Sequence, residues 1–95
     1  MLKAEGRLKL EVDAYLKSID AFFWKPVVTA YSARAVDYVG CYKGRFFCIE
    51  TKAGKNKATP MQQDFIRRVE ASGGWACVAY DVETVRAMIA DIEES

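Results

Sequence analysis

Three charged residues in the middle of the chain have the types and spacing needed to bind a metal ion and act on a phosphodiester: Asp37, Glu50 and Lys52. Because side chains alternate along a strand, Glu50 and Lys52 are expected on one face and Thr51 on the other. If Asp37 lies on the neighbouring strand, two carboxylates converge, and a divalent cation is their usual partner. The pattern predicts metal-dependent phosphodiester cleavage, with Lys52 beside the ion and facing the substrate.

The rest of the composition restricts the chemistry to carboxylates, lysine and a metal. The chain has no histidine, which excludes Ser-His-Asp triads and weakens the case for the usual zinc sites. Taken alone, an aspartate and a Glu-x-Lys pattern are most often solvated surface charges, because such short motifs occur by chance. Only a larger ordered set of residues favours a catalytic interpretation.

The charge distribution suits a site for a polyanion. The net charge of the 95 residues is only +1, but residues 25–57 contain seven lysines and arginines against two acids, a net charge of +5. The segment 81–95 contains one arginine against five acids, a net charge of −4. A basic middle around a carboxylate pair would draw phosphates towards the site. An ordinary solvated surface remains the alternative when the segment is judged by charge alone.

Length and composition indicate a single globular domain over residues 1–95, with 52% hydrophobic residues. The longest apolar runs are far too short to cross a bilayer, and no signal-peptide pattern is present, so we expect an intracellular, cytoplasmic protein without a membrane partner. The three cysteines, Cys41, Cys48 and Cys77, are odd in number and lie among apolar neighbours. We expect them to be reduced thiols in the core.

The first half of the chain predicts one helix followed by three strands. Apolar residues recur every three or four positions over residues 8–23, which is typical of an amphipathic helix that ends before Pro26. Residues 27–31 read as a short strand. Residues 35–42 and 45–51 are rich in β-branched and aromatic residues, and Lys43-Gly44 between them predicts a tight hairpin with antiparallel arms.

The second half predicts an exposed loop, a helix, a strand and a helix. Residues 53–59 form the loop, and Thr59 followed by Pro60 and Gln62 is a capping-box pattern at the start of a helix over residues 60–72. Residues 75–80 read as a buried strand and 82–92 as the closing helix. The crossover helix favours parallel pairing of strands 45–51 and 75–80. We therefore predict an α/β fold, a small mixed β-sheet flanked by helices on both faces, in the order αβββαβα.

The ordered set of motifs resembles a virus-type replication-repair nuclease (VRR-NUC) domain, a branch of the PD-(D/E)xK nuclease superfamily with a restriction-endonuclease-like core. The resemblance spans nearly the whole chain. The motifs that carry the resemblance include a glutamate on the first helix. The others are Asp37, Gly44-Arg45-Phe46-Phe47, Ile49-Glu50-Thr51-Lys52, Thr59-Pro60-Met61-Gln62 and Gly73-Gly74-Trp75-Ala76. The family commonly has glycine and proline before the aspartate, where this chain has Ala35 and Val36.

The resemblance implies a metal-dependent site. Asp37, Glu50 and the backbone carbonyl of Thr51 would hold Mg²⁺ or Mn²⁺, ions that prefer hard oxygen ligands. Glu5 on the first helix would reach the metal through water, and Glu11 is the alternative for this acid.

The resemblance also implies roles for residues around the metal. Lys52 would orient the attacking water or stabilise the transition state, and Gln62 would hydrogen-bond Lys52 or that water. The candidates for DNA-backbone contacts are Lys25, Arg34, Lys43, Lys55 and Lys57.

The implied activity is hydrolysis of DNA, and branched DNA such as a four-way junction is the first expectation. A homodimer would present two active sites to equivalent strands of such a junction. Two alternatives stay open, namely a non-catalytic module that binds DNA or a replication or repair partner, and an interaction module without a nucleic-acid role.

Overall fold

Three helices and four strands follow one another in the order αβββαβα. The structure is a computed structural model that describes residues 3–27 and 36–95. The elements are α1 (Ala4–Ser18), β1 (Phe22–Trp24), β2 (Tyr38–Tyr42), β3 (Arg45–Thr51), α2 (Pro60–Ala71), β4 (Trp75–Ala79) and α3 (Val82–Glu94). The predicted fold class and element order are confirmed.

The four strands form one mixed sheet in the order β1-β2-β3-β4. β1 and β2 pair antiparallel, as do β2 and β3, whereas β3 and β4 pair parallel across the α2 crossover. The hairpin between β2 and β3 turns through Lys43 and Gly44, whose φ angles are 50° and 78°. Two successive positive φ angles are what a two-residue type I′ turn requires, so the predicted hairpin is confirmed.

Helices cover both faces of the sheet, as predicted. α1 and α3 pack on one face, where the core is built around the fully buried Tyr38, Phe47 and Ile49. α2 packs on the other face through Phe65, Ile66 and Val69, over the smaller cluster of Val36, Val39 and Cys48. The period-two alternation of β2 and β3 supplies both clusters. The hairpin is thereby held from both sides, which fixes the end of it that carries Asp37 and Glu50.

The first helix and the first strand lie earlier than predicted. α1 ends at Ser18, and Phe23, which was predicted to be helical, belongs to β1. Asp20, with φ at 60°, takes the left-handed conformation that ends a helix, although Ile19 and Phe23 continue the helical spacing. Val27, the start of the predicted strand 27–31, lies outside β1, and residues 28–31 lie outside the described residues.

The start of α2 has the predicted capping box. The backbone N–H of Gln62 donates to Thr59 Oγ1 at 3.2 Å, and the backbone N–H of Thr59 donates to Gln62 Oε1 at 2.9 Å. Pro60 occupies the first turn, where its missing N–H costs nothing. This cap ends the loop that follows β3.

All three cysteines are free thiols, as predicted. Cys48 is buried and Cys77 half-buried, and burial raises the pKa of each thiol to about 12. The prediction was wrong for Cys41, which is exposed because it lies at the hairpin end of β2, beyond the cluster packed under α2.

Within residues 3–27 and 36–95, no helix combines the length and the apolar character needed to span a membrane.

Candidate active site

Asp37 and Glu50 meet at one end of the hairpin. Tyr38 and Ile49 are partners in the antiparallel register, so Asp37 and Glu50 lie opposite each other one residue further on. The backbone N–H of Asp37 donates to Glu50 Oε1 at 3.0 Å. The two residues are only 4% and 3% exposed. The structure thus brings the two predicted acids together in a place where little water can compensate their charge.

Asp37 is held by Thr51, through both its backbone and its side chain. The backbone N–H of Thr51 donates to Asp37 Oδ2 at 3.0 Å, and the Thr51 hydroxyl donates to the same oxygen at 2.5 Å. Strand alternation had predicted that Thr51 points away from the site. The Thr51 hydroxyl reaches Asp37 because Asp37 lies just before β2. The Asp37 carboxylate therefore extends across the end of β3. Two donors to one carboxylate oxygen fix its orientation.

Lys52 lies beside Glu50, as predicted from the alternation. Its ammonium nitrogen is 3.1 Å from Glu50 Oε2, and its side chain is 14% exposed. The backbone N–H of Lys52 donates to the carbonyl of Ala79 at 3.0 Å, which continues the pairing of β3 with β4 beyond Thr51. A lysine anchored by its own backbone and held against a buried acid is a positioned charge, in contrast to a solvated surface lysine.

The surroundings of Glu50 favour its neutral form. Burial raises the pKa of Glu50, and the negative charge of Asp37 raises it further. The hydrogen bond and positive charge of Lys52, together with the N–H of Asp37, lower it without cancelling these effects. An additional cation at this end of the hairpin would therefore stabilise the ionised form of Glu50.

Helix α1 brings a third acid and a second lysine to the same place. Glu5 and Lys9 are one turn apart, and the Lys9 ammonium lies 3.3 Å from Glu5 Oε2. The same nitrogen lies 3.6 Å from Asp37 Oδ1. Lys9 was not among the residues predicted from the sequence. The four-residue spacing of Glu5 and Lys9 was visible, but their proximity to Asp37 depends on how α1 packs.

A buried tyrosine fixes this packing. The hydroxyl of Tyr38 lies 2.6 Å from Asp13 Oδ1 and 3.0 Å from the backbone carbonyl of Lys9. Burial raises the pKa of Tyr38, and its hydrogen bond to Asp13 does so as well, so the hydroxyl keeps its proton. Asp13 is also paired with Lys25 at 2.5 Å. These contacts hold one face of α1 over the start of β2.

The position of the two candidate acids on α1 distinguishes them. Glu5 and Asp37 both pair with Lys9. Glu5 also lines a cleft of about 550 Å³ between the start of α1 and the loop after β3. Glu11 lines a different cleft, next to Tyr15 and Arg86, on the side of α1 that faces α3. The structure therefore places Glu5 at the site and Glu11 away from it.

Within residues 3–27 and 36–95, no hydrogen bond joins Gln62 to Lys52. Its Oε1 accepts the N–H of Thr59 in the capping box, while Lys52 is paired with Glu50. Of the two predicted roles of Gln62, the hydrogen bond to Lys52 is not formed, and the contact with the attacking water stays a prediction.

The predicted DNA-contacting residues are dispersed. Lys55 and Lys57 are exposed on the loop after β3, and Lys55 lines the cleft at Glu5. Lys25 is engaged with Asp13, and Lys43 pairs with Glu93 at 3.5 Å at the opposite end of the hairpin, roughly 20 Å from Asp37 by strand length. Arg34 lies outside the described residues.

The donor set fits a magnesium-type ion that keeps several waters. Within residues 3–27 and 36–95, no three acidic, cysteine or histidine side chains are grouped closely enough to enclose a metal. Mg²⁺ is commonly bound through one or two carboxylates with water completing its shell, and Asp37 and Glu50 supply such a pair. The raised pKa of Glu50 and the ammonium of Lys9 between Glu5 and Asp37 both indicate that this place favours a cation.

Comparisons with known proteins bear on the fold. A scan against protein-family models finds no match, and a search of curated proteins finds none either. Among solved structures, a chain described as "VRR_NUC domain" superposes with a TM-score of 0.75 at 19% sequence identity, over 94% of this chain and 97% of that one. The family resemblance predicted from the motifs is thus confirmed at the level of three-dimensional structure, and the chain has the fold of a VRR-NUC domain.

Proposed function

We propose that this protein is a nuclease that hydrolyses phosphodiester bonds of DNA with the help of Mg²⁺ or Mn²⁺. The observation that carries the proposal is the buried pair of Asp37 and Glu50 with the half-buried Lys52 beside it, held together at one end of the hairpin. The VRR-NUC fold supports it, because the solved domain of that description matches nearly the whole chain.

Each residue of the group has a physical role in this proposal. Asp37, Glu50 and the carbonyl of Thr51 would hold the ion, and the Thr51 hydroxyl keeps Asp37 in place. The ion would supply a more acidic water and neutralise charge on the phosphate oxygens. Lys52 stabilises negative charge that grows on the phosphate, and it does so without reorganisation because Glu50 already fixes its ammonium. Glu5 would contribute through water.

The surroundings of the site favour a nucleic-acid strand as substrate. The cleft beside Glu5 is also lined by two lysines, Lys3 and Lys55. Lysine contacts to phosphates give affinity with little sequence preference, so we propose selection by DNA structure. A four-way junction cut by a homodimer is the arrangement we favour, because two-fold symmetry matches two equivalent strands.

Cleavage assays on strand-labelled DNA test the proposal. A four-way junction, the corresponding duplex and the single strands are incubated with the protein and Mg²⁺ or Mn²⁺, and with EDTA as the metal-free control. We expect nicks that require the metal and that are most abundant on the junction. Binding without nicks would instead indicate a non-catalytic DNA-binding module, and failure to bind DNA at low salt would indicate an interaction module.

Gln62 can be tested separately from its cap. Gln62→Glu keeps an oxygen for the N–H of Thr59, because glutamate is equally good in a capping box, but it removes the amide donor. If this donor contacts the attacking water or the phosphate, cleavage should fall by about tenfold, in the range of a lost hydrogen bond to a charged group. Thermal unfolding is expected to be unchanged. Undiminished cleavage would show that Gln62 is only a capping residue.

A further inference from the structure

Lys9 occupies a position that none of the proposed catalytic roles explains. Its ammonium lies 3.3 Å from Glu5 Oε2 and 3.6 Å from Asp37 Oδ1, so one positive charge joins an acid of α1 to an acid of the hairpin. Two of the proposed metal-site residues are thus already paired with a cation that belongs to the chain itself.

We propose that Lys9 is a built-in competitor of the metal ion, which neutralises Asp37 and Glu5 in the metal-free protein and is displaced when a divalent ion binds. This inference rests on the proposed metal site and names a residue that sets its affinity. Asp37 is only 4% exposed, so water screens little of its repulsion with a neighbouring carboxylate. Lys9 removes part of this repulsion.

The geometry of Lys9 permits displacement. Its side chain is 31% exposed, so the ammonium has solvent beside it and a long flexible stem on which to swing out. Lys52, at 14% exposed, is more enclosed, and its backbone is tied to Ala79. The two lysines therefore differ in function: Lys52 is fixed for the reaction, whereas Lys9 exchanges with the ion.

The backbone around Lys9 keeps the competitor in range of Asp37. Its carbonyl lies 3.0 Å from the hydroxyl of Tyr38, the residue next to Asp37 in the chain. Movement of Lys9 away from Asp37 thus involves the side chain alone, and α1 stays in place with Glu5 over the site.

Calorimetric titration with Mn²⁺ in the absence of DNA tests the inference on the full chain. Lys9→Met removes the charge and keeps the apolar stem. We expect Mn²⁺ to bind this variant at least about tenfold more tightly than the parent, because the ion is no longer repelled by an ammonium group a few ångströms away. Lys17→Met is the matched control, an exposed lysine two turns further along α1 and about 12 Å away. Its Mn²⁺ affinity should equal that of the parent.

Other results overturn the inference. Equal or weaker Mn²⁺ binding by Lys9→Met, with normal binding by the parent, would show that Lys9 supports the site, and the proposed nuclease function would stand. If neither the parent nor the variant binds Mn²⁺ at millimolar concentration, the metal site itself fails and the inference with it. Should Lys9→Met not fold, Lys9→Gln is neutral and can still donate to both acids, and the same affinity gain is expected of it.

Discussion

Replacing Lys52 by methionine should lower the rate of DNA cleavage by about 100- to 1,000-fold, the usual effect of losing one preorganised donor to developing charge. Methionine keeps the length and apolar stem of a side chain that is mostly enclosed, so the variant should fold. The loss should appear in single-turnover rates at saturating protein, which separate chemistry from binding.

The comparison variant for Lys52 is Lys55→Met. Lys55 lies three residues further on, in the exposed loop beside the cleft. The Lys55→Met variant should bind DNA more weakly, and the slope of log affinity against log salt concentration should become shallower by about one unit. Its single-turnover rate at saturation should stay close to that of the parent. If both variants lost only affinity, Lys52 would be a DNA-binding residue and the proposed role in the reaction would be wrong.

Replacing Asp37 by asparagine should abolish the stabilisation that the parent gains from Mg²⁺ or Mn²⁺ and reduce cleavage by about a thousandfold or more. A ligand that binds only the folded state stabilises it by about 2.7 kcal/mol at 100 times its dissociation constant, so the metal-dependent rise in melting temperature is a direct readout. The variant replaces a charged carboxylate oxygen by a neutral amide oxygen, which binds a divalent ion much more weakly.

The structure also indicates that Asp37→Asn will fold. Its amide oxygen can still accept from Thr51, and the substitution removes a negative charge that raises the pKa of the buried Glu50. Hydrogen bonds to a neutral amide are weaker than those to a carboxylate, which lowers the stability, whereas removal of the charge raises it, so we expect the metal-free stability to change by less than about 2 kcal/mol. Asp64→Asn, at an exposed carboxylate on α2, is the control and should keep the metal response. A full metal response in Asp37→Asn would exclude Asp37 as a ligand.

The sequence was sufficient to predict those parts of the fold that are determined by neighbouring residues. Lys43-Gly44 specified a turn with two positive φ angles, and Thr59 with Gln62 specified the cap of α2. Once the hairpin and its register followed from the turn, Asp37 and Glu50 had to meet. The core of the candidate site was therefore predictable from the residues that form it.

The parts that the sequence did not reveal depend on tertiary packing. The helical spacing continued past Ser18 to Phe23, and only the backbone at Asp20 shows where α1 ends. Lys9 is an unremarkable helix lysine until Tyr38 fixes α1 over the hairpin. The Thr51 hydroxyl reached the site because Asp37 extends across the strand end, which alternation along β3 does not describe.

The measurement that tests the central claim most directly is anomalous diffraction from crystals of the protein soaked in Mn²⁺. We predict at least one Mn²⁺ within about 2.0 to 2.3 Å of carboxylate oxygens from both Asp37 and Glu50, with waters completing its shell. Mn²⁺ bound only elsewhere, or no ion at this pair at millimolar concentration, would contradict the assignment of this end of the hairpin as a metal-dependent active site.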